Sequence, residues 1–346
     1  MRQVTVNAFG GVDQLEVVEV ATPEPGPGEV RVAVTSIGMN HAELMGRRGE
    51  YRLSTGDPPF VPGLEGGGVI DAVGDAVSGW SVGDRVVLTP GVTRVGDGGY
   101  GGSYRSHYVC DAGGVMRAPD ALPDEQLGAV WLAYLTPFAC LSWLHGLGDR
   151  PADERTVVIP AASSSLGLAA AQVVKAMGGT AIGMTSSPAK VDAVAALPTS
   201  RFDHLIVTHD AERKLLPFHR DLFRLTDGRG ADVFFDPVAS GAYLTNEIKA
   251  LANSGTVYVY GLLGAPGPAD VTPLIRKAAT IRGWANGQLL EQGEAAWRPV
   301  CEAILERFAD GTFVQHVAER YPLADVRRAH EEMERGAHVG KLVLVP

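Results

Sequence analysis

Apolar positions along this chain follow two different patterns. Up to about residue 125 they come in short runs bounded by Gly and Pro, about ten residues apart. Val17-Val18-Glu19-Val20, Val30-Arg31-Val32-Ala33-Val34, Val69-Ile70-Asp71-Ala72-Val73-Gly74 and Asp84-Arg85-Val86-Val87-Leu88 each read as a short strand. Pro23-Glu24-Pro25-Gly26-Pro27-Gly28-Glu29 separates the first two and cannot lie inside a helix, because Pro removes a backbone donor and Gly loosens the chain. Such spacing predicts a compact, barrel-like β fold rather than an open parallel sheet. The glycine-rich stretch from Gly91 to Gly102 reads as a loop.

Beyond about residue 130 strands alternate with helices. Thr156-Val157-Val158-Ile159 reads as a buried strand and Leu166 to Met177 as a helix, followed by a strand at Thr180-Ala181-Ile182-Gly183-Met184. Leu205-Ile206-Val207, Ala231 to Phe235 and Thr256 to Tyr260 continue the alternation, which predicts a doubly wound parallel sheet. Ala295 to Phe308 has helical apolar spacing, and Gly340 to Val345 reads as a closing strand. The fold class is therefore α/β, a β-rich domain plus a doubly wound parallel-sheet domain.

Length and composition narrow the function. At roughly 150 residues per domain, 346 residues predict two domains. With 45% hydrophobic and 20% charged residues the chain can bury a large core, which excludes a disordered or fibrous protein. The net charge of −10 argues against nucleic acid or an anionic membrane as the main partner, since both need clustered Lys and Arg. No apolar run is long enough to span a bilayer, and Met1 to Val6 does not resemble a signal peptide, so a soluble, cytoplasmic protein is expected. Cys110, Cys140 and Cys301 are too few and too far apart for a disulfide framework or a four-cysteine zinc lobe. His204, His209 and His219 match no ligand spacing and read as surface residues.

The most informative segment is Val157-Val158-Ile159-Pro160-Ala161-Ala162-Ser163-Ser164-Ser165-Leu166-Gly167. It is a strand, a turn of small residues and a helix start. A dinucleotide needs such a turn so that backbone can approach its pyrophosphate, with the helix N–H groups supplying partial positive charge. Ala161, Ser164 and Gly167 take the three small positions of a GxGxxG turn, and Ser163, Ser165 and Leu166 complete the candidate phosphate cradle. A serine-capped strand-to-helix turn without a ligand would look similar. After the next strand, Met184-Thr185-Ser186-Ser187-Pro188-Ala189-Lys190 lacks the acid that binds an NAD ribose. Hydroxyls at Thr185 and Ser186 plus Lys190 suit a 2′-phosphate, and so NADPH, although an ordinary surface lysine would look the same at position 190.

With these residues the chain resembles the medium-chain dehydrogenase/reductase superfamily, in its zinc-free quinone oxidoreductase branch. Pro25-Gly26-Pro27-Gly28-Glu29-Val30, Pro62-Gly63-Leu64-Glu65-Gly66-Gly67-Gly68, Gly83-Asp84-Arg85-Val86, Tyr100 to Tyr104, Leu135-Thr136, Gly230 to Asp236 and Gly340-Lys341 carry the resemblance in order. It implies a GroES-like catalytic domain over 1–128, a Rossmann NADP-binding domain over 129–286 and a return to the catalytic domain over 287–346. Asn40 stands where zinc-dependent members carry a cysteine and Leu64 where they carry a histidine, and Trp131 to Thr136 offers no thiolate. Such a set cannot hold tetrahedral zinc, so no metal is expected. Glu65 then reads as a buried structural carboxylate.

The resemblance further implies roles for single residues. Asn40 would contact the nicotinamide or a substrate carbonyl, or else only loop backbone. Tyr51 would be a proton donor, or merely line the cleft; Arg52 replaces the proline that relatives carry next to it. Thr136 would contact the carboxamide, Tyr260, Gly261 and Leu262 would meet the nicotinamide with their backbone, and Asn286 would lie near the cofactor. Without a Lewis acid, hydride addition to a quinone or an α,β-unsaturated C=C is the easier reaction, because the charge spreads onto an oxygen that hydrogen bonds can hold. The expected activity is thus an NADPH-dependent quinone or enone reductase acting on a small molecule. The alternatives are an enoyl-thioester or polyketide-pathway enoyl reductase, a zinc-free carbonyl reductase and a non-catalytic NADPH-binding protein. A homodimer through the edge strand at Thr280-Ile281-Arg282-Gly283 is also implied.

Overall fold

The computed structural model describes residues 1–51, 56–93 and 101–346. Arg52, Tyr100 and most of the loop expected from Gly91 to Gly102 lie outside these residues. The chain opens with strands β1 (Arg2–Val6), β2 (Leu15–Glu19), β3 (Glu29–Gly38), β4 (Gly67–Val73), β5 (Arg85–Leu88), β6 (His107–Asp111) and β7 (Val115–Arg117). It continues through β8 (Thr156–Ile159), β9 (Thr180–Thr185), β10 (His204–Val207), β11 (Ala231–Asp236), β12 (Leu251–Val259) and β13 (Thr280–Gly283). The last strands are β14 (Val317–Pro322) and β15 (Lys341–Val345).

Two compact units result, one from residues 1–132, 305–311 and 315–346, the other from 133–304 and 312–314. The first carries a sheet in the order β14-β15-β3-β4-β5-β7, with β6 also paired to β3 and β1-β2 forming a separate hairpin. Its long strand β3 alternates half-buried and buried positions until Ser36, so one face meets the core. Val30, Val32, Ile37, Ile70, Val86, Tyr104, Tyr108 and Leu344 are among the residues that fill it. Pairing of β3 with β4 and β6 is antiparallel, whereas β14 and β15 run parallel. This is the expected β-rich domain.

In the second unit six strands run parallel in the order β10-β9-β8-β11-β12-β13. All six residues of β11 are buried, as a strand covered on both faces requires. The order places β8 and β11 at the centre, where the topology reverses and ligands of open α/β sheets bind beyond the strand ends. The expected Rossmann arrangement is present.

The division between units differs from the expected break at 287. Residues 287–304 belong to the parallel-sheet unit, and the return begins at Leu305, inside the helix Glu294–Ala309. The cause lies just after β13. Trp284 Nε1 donates to the Thr136 carbonyl at 2.9 Å, and Leu289 is fully buried. These contacts tie the segment to the unit it has just left. Residues 312–314 dip back for a similar reason, with the Phe313 ring 4.9 Å from Tyr134 and Val314 bonded to Gln172. The strands β1, β6, β7 and β14 and the helices His41–Arg48 and Val326–Arg335 were not singled out by sequence pattern.

Candidate functional site

The strand-turn-helix of the second unit is the candidate phosphate cradle. Ala161 takes a left-handed backbone (φ 51°), a conformation that usually falls to glycine and lets the chain turn sharply after β8. Ser164 caps the helix Ser165–Ala176, its Oγ accepting from Gly167 N at 3.0 Å. Gly167 has no room for a side chain, since a Cβ there would stand 2.6 Å from the Ala161 carbonyl oxygen. Ser163 is buried, while Ser164, Ser165 and Leu166 are half-buried. The N–H groups of Ser165 and Leu166 open the helix and so have no carbonyl within it to bond, a setting that could hold an anion.

At the end of β9 the Thr185 hydroxyl donates to the Ser187 carbonyl at 3.0 Å, so this candidate is engaged with its own turn. Ser186 is exposed, and Ser187 caps the helix Pro188–Ala195. Lys190 is half-buried, and burial together with the nearby Arg213 guanidinium lowers its pKa. Arg213 was missed in the sequence. It sits in a tight turn after β10, with φ at 63°, where Asp210 Oδ1 accepts from Glu212 N and Lys214 N at 3.0 and 2.9 Å. Only the neighbourhood of β9 and β10 in the sheet brings the two cations together.

Further along the same unit, Asn286 Nδ2 donates to Thr136 Oγ1 at 3.1 Å, joining two candidates 150 residues apart in sequence. The Asn286 Oδ1 is buried without a partner. An orphaned acceptor of this kind fits a carboxamide N–H, so Thr136 and Asn286 suit a nicotinamide. Tyr260 stacks on Phe235 with ring centroids 4.1 Å apart, and burial pushes its phenol well above its ordinary pKa. The Gly261 backbone lies against Pro237, and Leu262 is exposed.

Beneath this strand end lies a buried acid pair that the sequence did not reveal. Asp236 accepts from Val238 N at 2.6 Å and Ala239 N at 2.8 Å, which fixes the turn after β11. The fully buried Glu247 carboxyl lies within hydrogen-bonding reach of Asp236 and has no other partner. Two carboxylates can only accept, so a contact between them needs one of the two to be protonated. Burial, and then the Asp236 charge, raise Glu247 well above the ordinary range.

In the first unit, Asn40 opens the helix His41–Arg48 and sits in a buried ionic network. Lys341 Nζ donates to Glu65 Oε1 and Asn40 Oδ1, both at 2.6 Å. Asn40 Nδ2 lies 3.1 Å from Glu65 Oε1, 3.2 Å from the Gly38 carbonyl and 3.3 Å from Glu43 Oε1. Its amide is thus engaged within its own unit. The Lys341 ammonium takes one of the two lone pairs of the amide oxygen. Glu65 Oε2 accepts from Trp131 N and Leu132 N at 2.8 and 3.1 Å, so this carboxylate is structural, as expected. Glu43 Oε2 accepts from Asn40 N at 2.7 Å, and its Oε1 from Leu64 N at 3.1 Å. Burial pushes Glu43 up to about 7, against the attraction of Lys341. Gly38 makes room for the network, since a Cβ there would stand 2.5 Å from Glu65 Oε1. Glu43 and Lys341 carried no sequence signal for this role beyond the place of Lys341 in the closing Gly-Lys. Tyr51 stands at the surface, about a third exposed, just past the left-handed Gly49 that ends the helix.

Zinc does not fit here. Asn40 and Leu64 offer an amide and an alkyl group, and the Lys341 ammonium beside them would repel a dication. Among the described residues no cluster of three His, Cys, Asp or Glu could hold a metal ion.

Comparison with known proteins places these features in context. The alcohol dehydrogenase GroES-like domain family matches residues 26–120, and the zinc-binding dehydrogenase family matches residues 165–306. A quinone oxidoreductase of Pseudomonas aeruginosa is 29% identical over 100% of this chain and 99% of its own. The synaptic vesicle membrane protein VAT-1 homolog of Rattus norvegicus is 26% identical over 100% of this chain and 84% of its own. Among solved structures, an NAD-dependent alcohol dehydrogenase superposes with a TM-score of 0.83 at 28% identity, covering both chains completely.

Two outcomes follow for stability. Lys341→Met leaves Glu65 buried and unpaired, and should lower the unfolding free energy by about 3–5 kcal/mol in urea denaturation. Glu247→Gln replaces the protonated carboxyl by an amide donor. An unfolded glutamate ionises near 4.5, whereas Glu247 stays protonated in the fold to a higher pH. The folded state therefore binds more protons, and wild-type stability falls as pH rises from about 4.5 towards that higher pKa. The stability of Glu247→Gln relative to wild type should grow between pH 5 and pH 8; an unchanged difference would show that Glu247 holds no such proton.

Proposed function

The chain belongs to the medium-chain dehydrogenase/reductase superfamily, in its quinone oxidoreductase-like branch, and from this premise we propose that it is a zinc-independent, NADPH-dependent reductase of a quinone or an α,β-unsaturated C=C. The observation that carries the reading is the pair of cations, Lys190 and Arg213, beyond β9 and β10, with no acid at the end of β9. An NAD site would place a carboxylate there for the ribose hydroxyl, whereas two cations suit a 2′-phosphate.

Ser165 and Leu166 N–H would hold the pyrophosphate, with Ala161, Ser163, Ser164 and Gly167 shaping the turn. Ser186, Lys190 and Arg213 would hold the 2′-phosphate. Thr136 and Asn286 would fix the carboxamide, with the Tyr260-Gly261-Leu262 backbone beside the ring. Bound there, the reduced nicotinamide supplies a hydride. The remaining chemistry belongs to the chain itself. The acceptor oxygen gains negative charge, and Tyr51 is the exposed phenol that would donate a hydrogen bond or proton to it. Asn40 would act indirectly, by positioning Lys341 and Glu43. The misfit of zinc to Asn40, Leu64 and Lys341 supports quinone or enone reduction over alcohol oxidation.

A cytoplasmic homodimer belongs to the same reading. Strand β13 is the edge of its sheet, and Val271 and Ile275 in the segment before it are exposed by 54% and 85%. An unpaired edge beside apolar side chains suits a second copy of this chain. No helix among the described residues is long and apolar enough to cross a membrane.

The test follows NADPH and NADH oxidation with a quinone, an enone, an enoyl thioester and a ketone, with and without chelator. Chelator-insensitive oxidation of NADPH by quinone or enone is expected; chelator-sensitive ketone reduction would overturn the reading. Lys190→Ala and Arg213→Ala should each weaken NADPH binding by about 1.5–3 kcal/mol and leave NADH unaffected, read by coenzyme fluorescence titration. Light scattering at micromolar concentration should give a dimer, and a monomer there would remove that part of the proposal.

A further inference from the structure

Glu43 presents one open position in an otherwise satisfied site. An ionised carboxylate has about four lone-pair positions. Three are taken here, by Leu64 N and Asn40 Nδ2 on Oε1 and by Asn40 N on Oε2. The fourth, on Oε2, is left for a proton or for a donor to the carboxylate.

Glu43 also lines a cavity of about 10 Å³, together with Pro62, Gly63, Leu64 and Thr93 among others. That is the lower end of the space one water needs. A buried water also needs polar partners, and two are in place. Glu43 is one, and the other is Thr93, whose hydroxyl donates to the Leu64 carbonyl at 3.1 Å and keeps its lone pairs to accept. Leu64, which also lines the cavity, stands by the resemblance where zinc-dependent relatives carry a metal ligand.

We propose that Glu43 is the proton store of the reduction, passing its proton through one water held between Glu43 and Thr93 to the substrate atom that gains charge. This rests on the reductase reading above. Reduction of a conjugated C=C takes up one hydride and one proton. The hydride, from the nicotinamide that is thereby oxidised, forms the new C–H bond at the β-carbon. The π pair moves onto the carbonyl oxygen, and the resulting enolate takes the proton. Glu43 passes from carboxylic acid to carboxylate and regains its proton from solvent. Glu43 does not itself touch substrate in this scheme; Tyr51 would hold the oxygen.

The surroundings keep such a proton available near neutral pH. Lys341 on β15 and Asn40 favour the carboxylate, Glu65 opposes it, and Tyr104 stands close enough for its phenol to be raised by both carboxylates. Burial outweighs these contributions and brings Glu43 to about 7.

The coenzyme-free protein gives the first readout. Its infrared spectrum should show a protonated buried carboxyl that titrates near pH 7 and is missing from Glu43→Gln. Stability should fall between about pH 4.5 and 7 in wild type and less so in Glu43→Gln, since the folded protein holds a proton that the unfolded chain releases at 4.5. In turnover, Glu43→Gln should lose about a hundredfold in kcat at pH 6. It should also lose the decline in rate that wild type shows above pH 7. Glu43→Asp should restore part of both, and Thr93→Val should slow turnover while keeping the decline. A Glu43→Gln enzyme with the wild-type pH profile overturns the proposal, as does a carboxyl titration that survives the substitution. If wild type reduces no acceptor, the reductase reading fails, and the infrared and stability titrations still decide whether Glu43 stores a proton.

Discussion

The first unit depends on a single buried ion pair. Lys341 and Glu65 are both fully sequestered, their charges 2.6 Å apart. Taking either charge out of water alone would cost several kcal/mol, so each is tolerable only because the other is present. The pair does more than neutralise itself. Glu65 also receives the first N–H groups of the helix Trp131–Phe138, where the backbone dipole favours negative charge. Lys341 in turn fixes Asn40 and so the start of the helix His41–Arg48. One contact thereby joins the closing strand, the end of β3 and two helix starts, and Gly38 is needed because any side chain would collide with it.

The second unit uses the same economy of charge in another form. Asp236 and Glu247 are like-charged when ionised, and no cation is placed between them. Burial resolves the conflict by favouring the protonated form of Glu247, and the turn after β11 is held by the Asp236 oxygens. That turn also receives the chain beyond β12, through Leu263 N and Gly264 N. The strand ends where a cofactor would lie are therefore set by buried carboxyl chemistry rather than by apolar packing alone.

The cluster of the first unit explains why the chemistry proposed here is organic rather than metal-based. Where zinc-dependent relatives place thiolate and imidazole, this chain has an amide, an alkyl group and a nearby ammonium. The positive charge that neutralises Glu65 is covalently part of the chain. Charge that develops on a substrate must then be met by hydrogen bonds and a proton, which directs attention to Tyr51 and Glu43.

The sequence by itself determined the two-domain α/β architecture, because strand runs and turn residues at short spacing differ in period from strands alternating with helices. It determined the tight strand-to-helix turn too, since Ala161, Ser164 and Gly167 are local in sequence and their small size is the requirement. Even the structural character of Glu65 was legible, from the absence of any metal ligand near it. Only the tertiary structure decided the rest. Lys341 meets Asn40 across 301 residues, Asn286 meets Thr136 across 150, and Arg213 reaches Lys190 through the pairing of neighbouring strands. Periodicity records which face of an element is apolar; it carries no information on which buried charges meet. The engagement of the Asn40 amide and the open position on Glu43 depend on partners distant in the chain, and the raised Glu247 depends on its burial. They follow from desolvation and geometry, which exist only once the chain has folded.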